Sequence, residues 1–408
     1  MEKKLTTADY IAMEEKYGAH NYQSLPVVLE RGEGIYLYGV DGKRYFDFLS
    51  AYSAANQGHC HPKIVKALCD QAQKLCITSR AFYNNTLGPY EKFACEFFGY
   101  DKLLPMNSGA EAVETALKLA RRWGYQIKGI PENEAIIIVC DGNFHGRTIT
   151  IVTLSNDPSS YTQYGPFTPG FIRVPYDDAD AVRKVLEEKG DNVAAMLVEP
   201  IQGEAGVYVP RDGYIKECYD LCKKHNCLFI ADEIQTGIGR TGRMMACEYE
   251  NVHPDIVTIG KALSGGVLPV SAVLANDEIM LTIQPGEHGS TFGGYPVANK
   301  VAMAALNVIK DENLTENAYK MGLIFREEIA KIKSPFFKNV RGKGLLNAIV
   351  TEPQNGIEAW DICLKLRDAG LLAKPTHQHI IRFTPPLIIN EKQLREAISI
   401  IKNVFESL

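Results

Sequence analysis

No run in this chain reaches the roughly 20 apolar residues a bilayer-spanning helix needs. No tract of lysine and arginine is dense enough to follow a phosphate backbone, and no two cysteines are spaced C-x2-C. The first absence excludes a membrane-spanning helix and the second argues against nucleic acid as a partner. Lys plus Arg (44) are outnumbered by Asp plus Glu (49), and the resulting net charge of −5 is scattered along the chain. The missing C-x2-C pair turns the group Cys218, Cys222, His225 and Cys227 away from a zinc site and toward a buried helix followed by a strand. No metal is expected. The ten cysteines stand at irregular spacings, and Cys140, Cys227 and Cys247 sit in apolar stretches, where a reduced thiol acts as a small hydrophobe. Cys218 and Cys222, at i and i+4, share a helix side, which raises thiol regulation as a side question. Met1-Glu2-Lys3-Lys4 opens neither an h-region nor an Arg-rich transit pattern, so cytoplasmic residence is the expectation. Internal repeats and low-complexity segments are also missing.

What is present fits an ordinary α/β enzyme. At 408 residues the chain exceeds the size at which one core keeps growing, so two packed domains are expected. Short apolar, β-branched runs recur at 135–140, 193–198, 228–231, 255–259 and 270–274, with helical patterns between several of them. One such pattern, 213–225, places Ile215, Cys218, Tyr219 and Cys222 at helical spacing. This alternation predicts a doubly wound, mostly parallel sheet whose ligands collect beyond the carboxyl ends of the strands. From Pro296 on, long helical patterns (297–311 and 317–331) give way to a strand at 344–350, another helix, a strand near Ile380 and a terminal helix, the mark of a smaller α+β unit. Asp41-Gly42 between 34–38 and 44–48 signals a hairpin. The expected division is 1–52, packing with the small domain; 53–295, the large cofactor-binding domain; and 296–408, the small domain.

Chemistry concentrates in Ile230-Ala231-Asp232-Glu233-Ile234-Gln235-Thr236-Gly237 and in Thr258-Ile259-Gly260-Lys261-Ala262. Upstream, Ser108 and Glu111 of Asn107-Ser108-Gly109-Ala110-Glu111 form a capping box, ahead of an apolar stripe of Val113, Ala116, Leu117 and Ala120. That turns the backbone N–H groups of Gly109 and Ala110 outward at a positive helix end, a cradle for a dianionic phosphate. Singly, each feature has a plainer reading: a strand-end Asp is commonly a cap, a lone Lys is commonly solvated, and most capping boxes bind nothing. Their occurrence together and in this order carries the argument. Two other motifs do not survive inspection. Gly237-Ile238-Gly239-Arg240-Thr241-Gly242 spells G-x-G-x-x-G, but it follows two carboxylates and opens no clear helix, so a dinucleotide fingerprint is rejected. His59-Cys60-His61 lacks partner ligands and reads as a loop entering a helix at Pro62.

From about Tyr17 to the C-terminus these motifs resemble the ornithine and acetylornithine branch of the class-III, fold type I aminotransferases. The resemblance implies pyridoxal 5'-phosphate as cofactor, held covalently by Lys261, which also serves as the proton-shuttling base. Asp232 would keep the ring nitrogen protonated, a task suited to a buried carboxylate. Gln235 would bond the ring hydroxyl, Ile234 and Phe144 would cover the two ring faces, and Ser108, Gly109 and Ala110 would take the phosphate. Ser290 and Thr291, in Gly289-Ser290-Thr291-Phe292-Gly293-Gly294, match a loop that reaches the neighbouring subunit's cofactor, which implies a homodimer with shared sites.

For substrates the resemblance implies L-ornithine and 2-oxoglutarate, giving glutamate 5-semialdehyde and L-glutamate. Glu204 would pair with Arg382 while ornithine enters δ-amine first, and would release it to clamp a keto-acid carboxylate. Arg147 would hold the far carboxylate, and Tyr22 and Tyr52 would line the ornithine pocket. Acetylornithine or 4-aminobutyrate transamination is the alternative, and a silent cofactor-binding scaffold is the alternative of another class. The position of His145, beside Phe144, is left without a role.

Overall fold

A computed structural model describes residues 5–408. The apolar runs form a seven-stranded sheet: β1 (Lys102–Met106), β2 (Ile136–Cys140), β3 (Phe171–Val174), β4 (Val193–Val198), β5 (Leu228–Asp232), β6 (Ile256–Ile259) and β7 (Ser271–Ala275), in the order β1-β7-β6-β5-β4-β2-β3. Strands β3, β2, β4, β5 and β6 run parallel, while β7 lies antiparallel to both β6 and β1. Strands β4 and β5 are buried at every position, which is why they read as continuous apolar runs with no alternation. The pleat sends alternate residues to opposite cores. Ile137, Val139, Ala195, Leu197 and Ile230 pack with Val113, Ala116, Leu117 and Ala120 of the Gly109–Trp123 helix, and Ile138, Cys140, Met196, Val198 and Phe229 pack on the other face.

Two four-stranded sheets complete the molecule. Strands Tyr36–Gly39 and Arg44–Asp47 form the Asp-Gly hairpin, extended on one side by Leu29–Glu33 and on the other by the C-terminal strand Leu371–Leu372, which pairs parallel to Arg44–Asp47. The third sheet runs Phe337–Lys343, Leu346–Thr351, Ile380–Phe383, Lys374–Thr376. The sequence pattern predicts Leu346–Thr351 and Ile380–Phe383 but not their partners. Phe337–Lys343 is half-exposed with Gly and Lys inside, and Lys374–Thr376 is only three residues long. No helix among the described residues is long and apolar enough to cross a membrane.

Candidate active site

Asp232 ends β5 and Glu199 directly follows β4, so two carboxylates emerge side by side where parallel strands finish. Lys261 follows β6 after one glycine and opens a short 3-10 turn with φ +44, a strained value for a residue with a side chain. The turn after β2 brings in Phe144 and His145. These residues, with Gly109, Ala110, Gly146, Glu204, Ile234 and Gln235, line a cavity of about 210 Å³. A larger groove of about 620 Å³ at 186–192 is walled by solvated Glu187, Glu188 and Lys189. It gathers none of the reactive groups.

The Asp232 carboxylate is fixed from three sides: the Ile234 N–H and Thr258 hydroxyl donate to Oδ1, both at 3.1 Å, and His145 Nδ1 meets Oδ2 at 2.7 Å. A carboxylate offers about four acceptor positions, so one direction stays open toward the cavity. Burial works against the His145 imidazolium, yet the hydrogen bond and charge of Asp232 outweigh it and the net shift is upward. His145 Nε2 is buried with no partner. The Lys261 amine is pushed below the ordinary lysine value by burial, which Glu204 and Asp232 only partly oppose. That favours the neutral, nucleophilic form. Burial raises the Glu199 carboxyl to about 7.

At the helix end the capping box is in place. Ser108 Oγ accepts the Glu111 N–H at 3.2 Å, and Glu111 Oε2 takes the N–H groups of Asn107 and Ser108 at 2.8 and 2.9 Å. Gly109 packs against Ile234, where a Cβ would stand 3.1 Å from that side chain. Ser290 Oγ lies 2.6 Å from Asn107 Nδ2 of the same chain, next to this helix end. Thr291 adjoins it in sequence.

Arg382, on Ile380–Phe383, pairs with Glu204 at 2.6 Å, and Gln235 Nε2 donates to the same Glu204 oxygen at 3.1 Å. Burial alone would raise Glu204, but the charges of Arg382 and Lys261, with these hydrogen bonds, bring it down to about 2. Tyr52 has the Arg382 guanidinium 4.9 Å from its ring centre. It sits in a run of four left-handed residues, Ser50 to Ser53, with φ between +46 and +73. Asp47 Oδ1 holds this turn at the N–H groups of Leu49 and Ser50, and Ser50 Oγ donates to Thr384 O at 2.7 Å, two residues past Arg382. Tyr22 stays on the rim, 71% exposed, with Lys374 at 5.3 Å from its ring; Lys374 is the residue opposite Arg382 in the sheet. Arg147 lies exposed with its guanidinium 5.5 Å from the Phe144 ring, and no carboxylate among the described residues pairs with it.

Residues 17–405 match the family model Aminotransferase class-III. The chain is a class-III aminotransferase. It is 59% identical over 397 residues to a Drosophila melanogaster protein named ornithine aminotransferase, mitochondrial, covering 97% of this chain and 91% of that relative. Its fold is similar to an acetylornithine aminotransferase from Elizabethkingia anophelis, at TM-score 0.91 and 56% identity, over 99% of this chain and 100% of that one. It is also similar to an ornithine aminotransferase from Toxoplasma gondii whose active site is described as partly occupied by PLP, at TM-score 0.97 and 46% identity, over 99% and 95% of the two chains.

Among the residues that build this aminotransferase's pocket, Glu199 and His145, which line it, and Thr258, which holds Asp232 from behind, were not predicted as site residues. Glu199 carried a usable signal, since a carboxylate straight after six buried apolar residues repeats the pattern of Asp232. Thr258 had none, being one more β-branched residue in a strand. Cys218, Cys222 and Cys247 are buried, and burial drives the thiols of Cys218 and Cys247 upward, away from reactivity; Cys222 also shifts upward, through Cys227 first and burial second.

Proposed function

We propose that the chain transfers the δ-amino group of L-ornithine to 2-oxoglutarate, yielding glutamate 5-semialdehyde and L-glutamate, with pyridoxal 5'-phosphate as cofactor. The pocket suits that group. Around a lysine amine of lowered pKa stand buried polar atoms without partners (His145 Nε2, Gln235 Oε1, Arg382 Nε), beside a glycine-lined helix end. Lys261 would hold the cofactor covalently, Asp232 its ring nitrogen, Gln235 its hydroxyl, Phe144 and Ile234 its faces, and Ser108, Gly109 and Ala110 its phosphate. When bound, the cofactor supplies an electron sink for the charge left on a deprotonated substrate carbon. Lys261 Nζ, its pKa lowered by burial, would take that proton and return it at the neighbouring carbon. Three donors, the Ile234 N–H, the Thr258 hydroxyl and His145, fix the Asp232 carboxylate in a dry site where it would face the ring nitrogen.

The observation that carries the substrate reading is the closed Glu204–Arg382 pair at 2.6 Å. A paired guanidinium does not seize the α-carboxylate of ornithine, so the amino acid enters by its side-chain amine. When the keto acid arrives, its carboxylate replaces that of Glu204 on Arg382, and Arg147 at the mouth takes the other end. Tyr22 and Tyr52 flank the path. Acetylornithine is the second reading, favoured by the Elizabethkingia relative's name. Purified protein assayed with ornithine, acetylornithine and 4-aminobutyrate should prefer ornithine; a clear preference for either of the others ends this reading.

A homodimer belongs to the same proposal. Phe82, Tyr83 and Phe292 stand 73%, 105% and 51% exposed, apolar surface that a second copy would cover, and Ser290 and Thr291 would then serve the partner's site. So does the division at 1–52, 53–295 and 296–408, since Glu204 and Arg382 come from either side of it. Its setting in proline and arginine metabolism follows from ornithine and glutamate 5-semialdehyde. Cytoplasmic residence is our reading for this chain, set against the mitochondrial label of the fly relative.

A further inference from the structure

Glu199 is 6% exposed and, among the described residues, has no side-chain cation bonded to it, yet its carboxylate joins two separate loops. The Phe144 N–H donates to Oε1 at 2.9 Å, and the Gly203 N–H donates to Oε2 at 3.4 Å. Phe144 belongs to the turn after β2, and Gly203 immediately precedes Glu204 in the turn after β4. A second tie joins the same loops, for Gln202 Nε2 donates to Asp141 O at 2.7 Å. The approach is tight throughout. A Cβ on Gly142 would stand 2.9 Å from Gln202 Oε1, and one on Gly203 would fall 1.5 Å from Gln235 Oε1. The base of Glu199 is anchored as well, with the Tyr176 hydroxyl donating to the carbonyls of Glu199 and Pro200 at 3.1 and 3.0 Å.

We propose that Glu199 is a positioning residue whose carboxylate ties the loop of Phe144 to the loop of Glu204, so that one face of the cofactor slot and the substrate gate shift together. The inference rests on reading this pocket as the pyridoxal phosphate site. Two oxygens on one rigid carboxylate take one N–H from each loop, so a displacement of Gly203 when Glu204 swings is passed to Phe144 through a bond that no water can replace at this burial. A carboxylate is needed for this. The equally sized amide of glutamine presents an oxygen to one loop and an NH2 to the other, where it faces a donor and the tie is lost. Burial pushes the Glu199 carboxyl up to about 7, so a buried charge is removed by that change and the variant is expected to fold.

The test measures coupling. Dissociation constants for pyridoxal phosphate are determined by absorbance titration of the cofactor-free chain for Phe144→Leu, Glu204→Gln and their combination, in the native and in the Glu199→Gln background. With Glu199 present the two changes should interact by roughly threefold or more, within the range seen for residues sharing a hydrogen-bond network; with Glu199→Gln they should multiply independently. Equal coupling in both backgrounds overturns the proposal, and so does independence in both. As a check that needs no variant, the native holoenzyme is given glutarate, an unreactive dicarboxylate, and followed by hydrogen exchange. Segments 141–147 and 199–208 should change together; a change confined to 199–208 also overturns it. Native chain that takes up no pyridoxal phosphate would instead sink the reading of the pocket itself.

Discussion

Two arginines lie deep in this molecule, Arg240 at 0% and Arg382 at 4% exposure, and they are stabilised in opposite ways. Among the described residues Arg240 has no carboxylate in hydrogen-bond reach. Its Nη1 donates to the carbonyls of Leu345 and Pro385 at 3.0 and 2.7 Å, and its Nη2 to Asn56 Oδ1 at 2.5 Å. Burial pulls its pKa down to about 9. Arg382 instead faces one carboxylate, Glu204, whose side chain keeps 27% of its surface exposed. The first arrangement cannot be exchanged, because its acceptors, two backbone carbonyls and the Asn56 side-chain amide, come from three distant segments that move only if the fold moves. The second can, because an incoming carboxylate offers the guanidinium the same charge and geometry that Glu204 does. A buried cation held by carbonyls is a brace; one held by a carboxylate on a loop is built so that it could open, as the proposed gate requires.

Substituting each arginine by methionine should separate the two roles. Arg382→Met should lower turnover with 2-oxoglutarate by roughly 100- to 1000-fold, the scale of removing one partner of a buried, hydrogen-bonded charge pair. It should move the urea midpoint less than Arg240→Met does, since Glu204 keeps Gln235 and water. Arg240→Met leaves three buried acceptors unpaired and should cost about 3 kcal/mol or more in urea unfolding. If Arg382→Met is the more destabilising of the two, the distinction fails.

Glu204→Gln tests the gate from its other side. With no anion to cover it, Arg382 captures the α-carboxylate of ornithine, and the first half-reaction should slow by roughly tenfold, the worth of one hydrogen bond to a charged group. The KM for 2-oxoglutarate should fall. Stopped-flow absorbance of the two half-reactions reads both, and equal slowing of the two would remove the gate.

The smallest effects concern pH. Glu204 lies at about 2 against an ordinary 4.5, so the stability its pair contributes is present above pH 4.5 and is lost as pH falls from there toward 2. The gap in urea midpoint between native chain and Arg382→Met should therefore shrink on acidification, while the gap to Arg240→Met, whose acceptors do not titrate, holds. Glu199 has the opposite sign. Raised from 4.5 to about 7, its contribution is full below pH 4.5 and disappears as pH rises through 7, so Glu199→Gln should flatten the cofactor-free chain's profile over that window.

The brace and the gate also differ in how far they could be read in advance. The residues that end β5 and follow β6 stand in short motifs whose order names the chemistry, and Arg382 and Glu204 are legible through the same resemblance. Arg240 was visible only as part of a rejected nucleotide motif. Its role depends on carbonyls at 345 and 385, and a carbonyl has no signature in a sequence. His145 was seen but unassigned, because its partner Asp232 is 87 positions away. The left-handed turn at Ser50 to Ser53 was missed as well, for none of its residues is a glycine and nothing local favours positive φ there.

Apolar periodicity and a handful of motifs were thus enough to determine the doubly wound sheet and the capped helix after β1, and to set Asp232 and Lys261 at strand ends. These depend on neighbours within a few residues, where backbone sterics and burial act directly. Only the tertiary structure decided which carbonyls steady Arg240, that Glu199 receives an N–H from each of two loops, and that Tyr52 rests against Arg382. Those contacts join segments up to hundreds of residues apart, and they form only when the packing of separate sheets has set distances that no local pattern encodes.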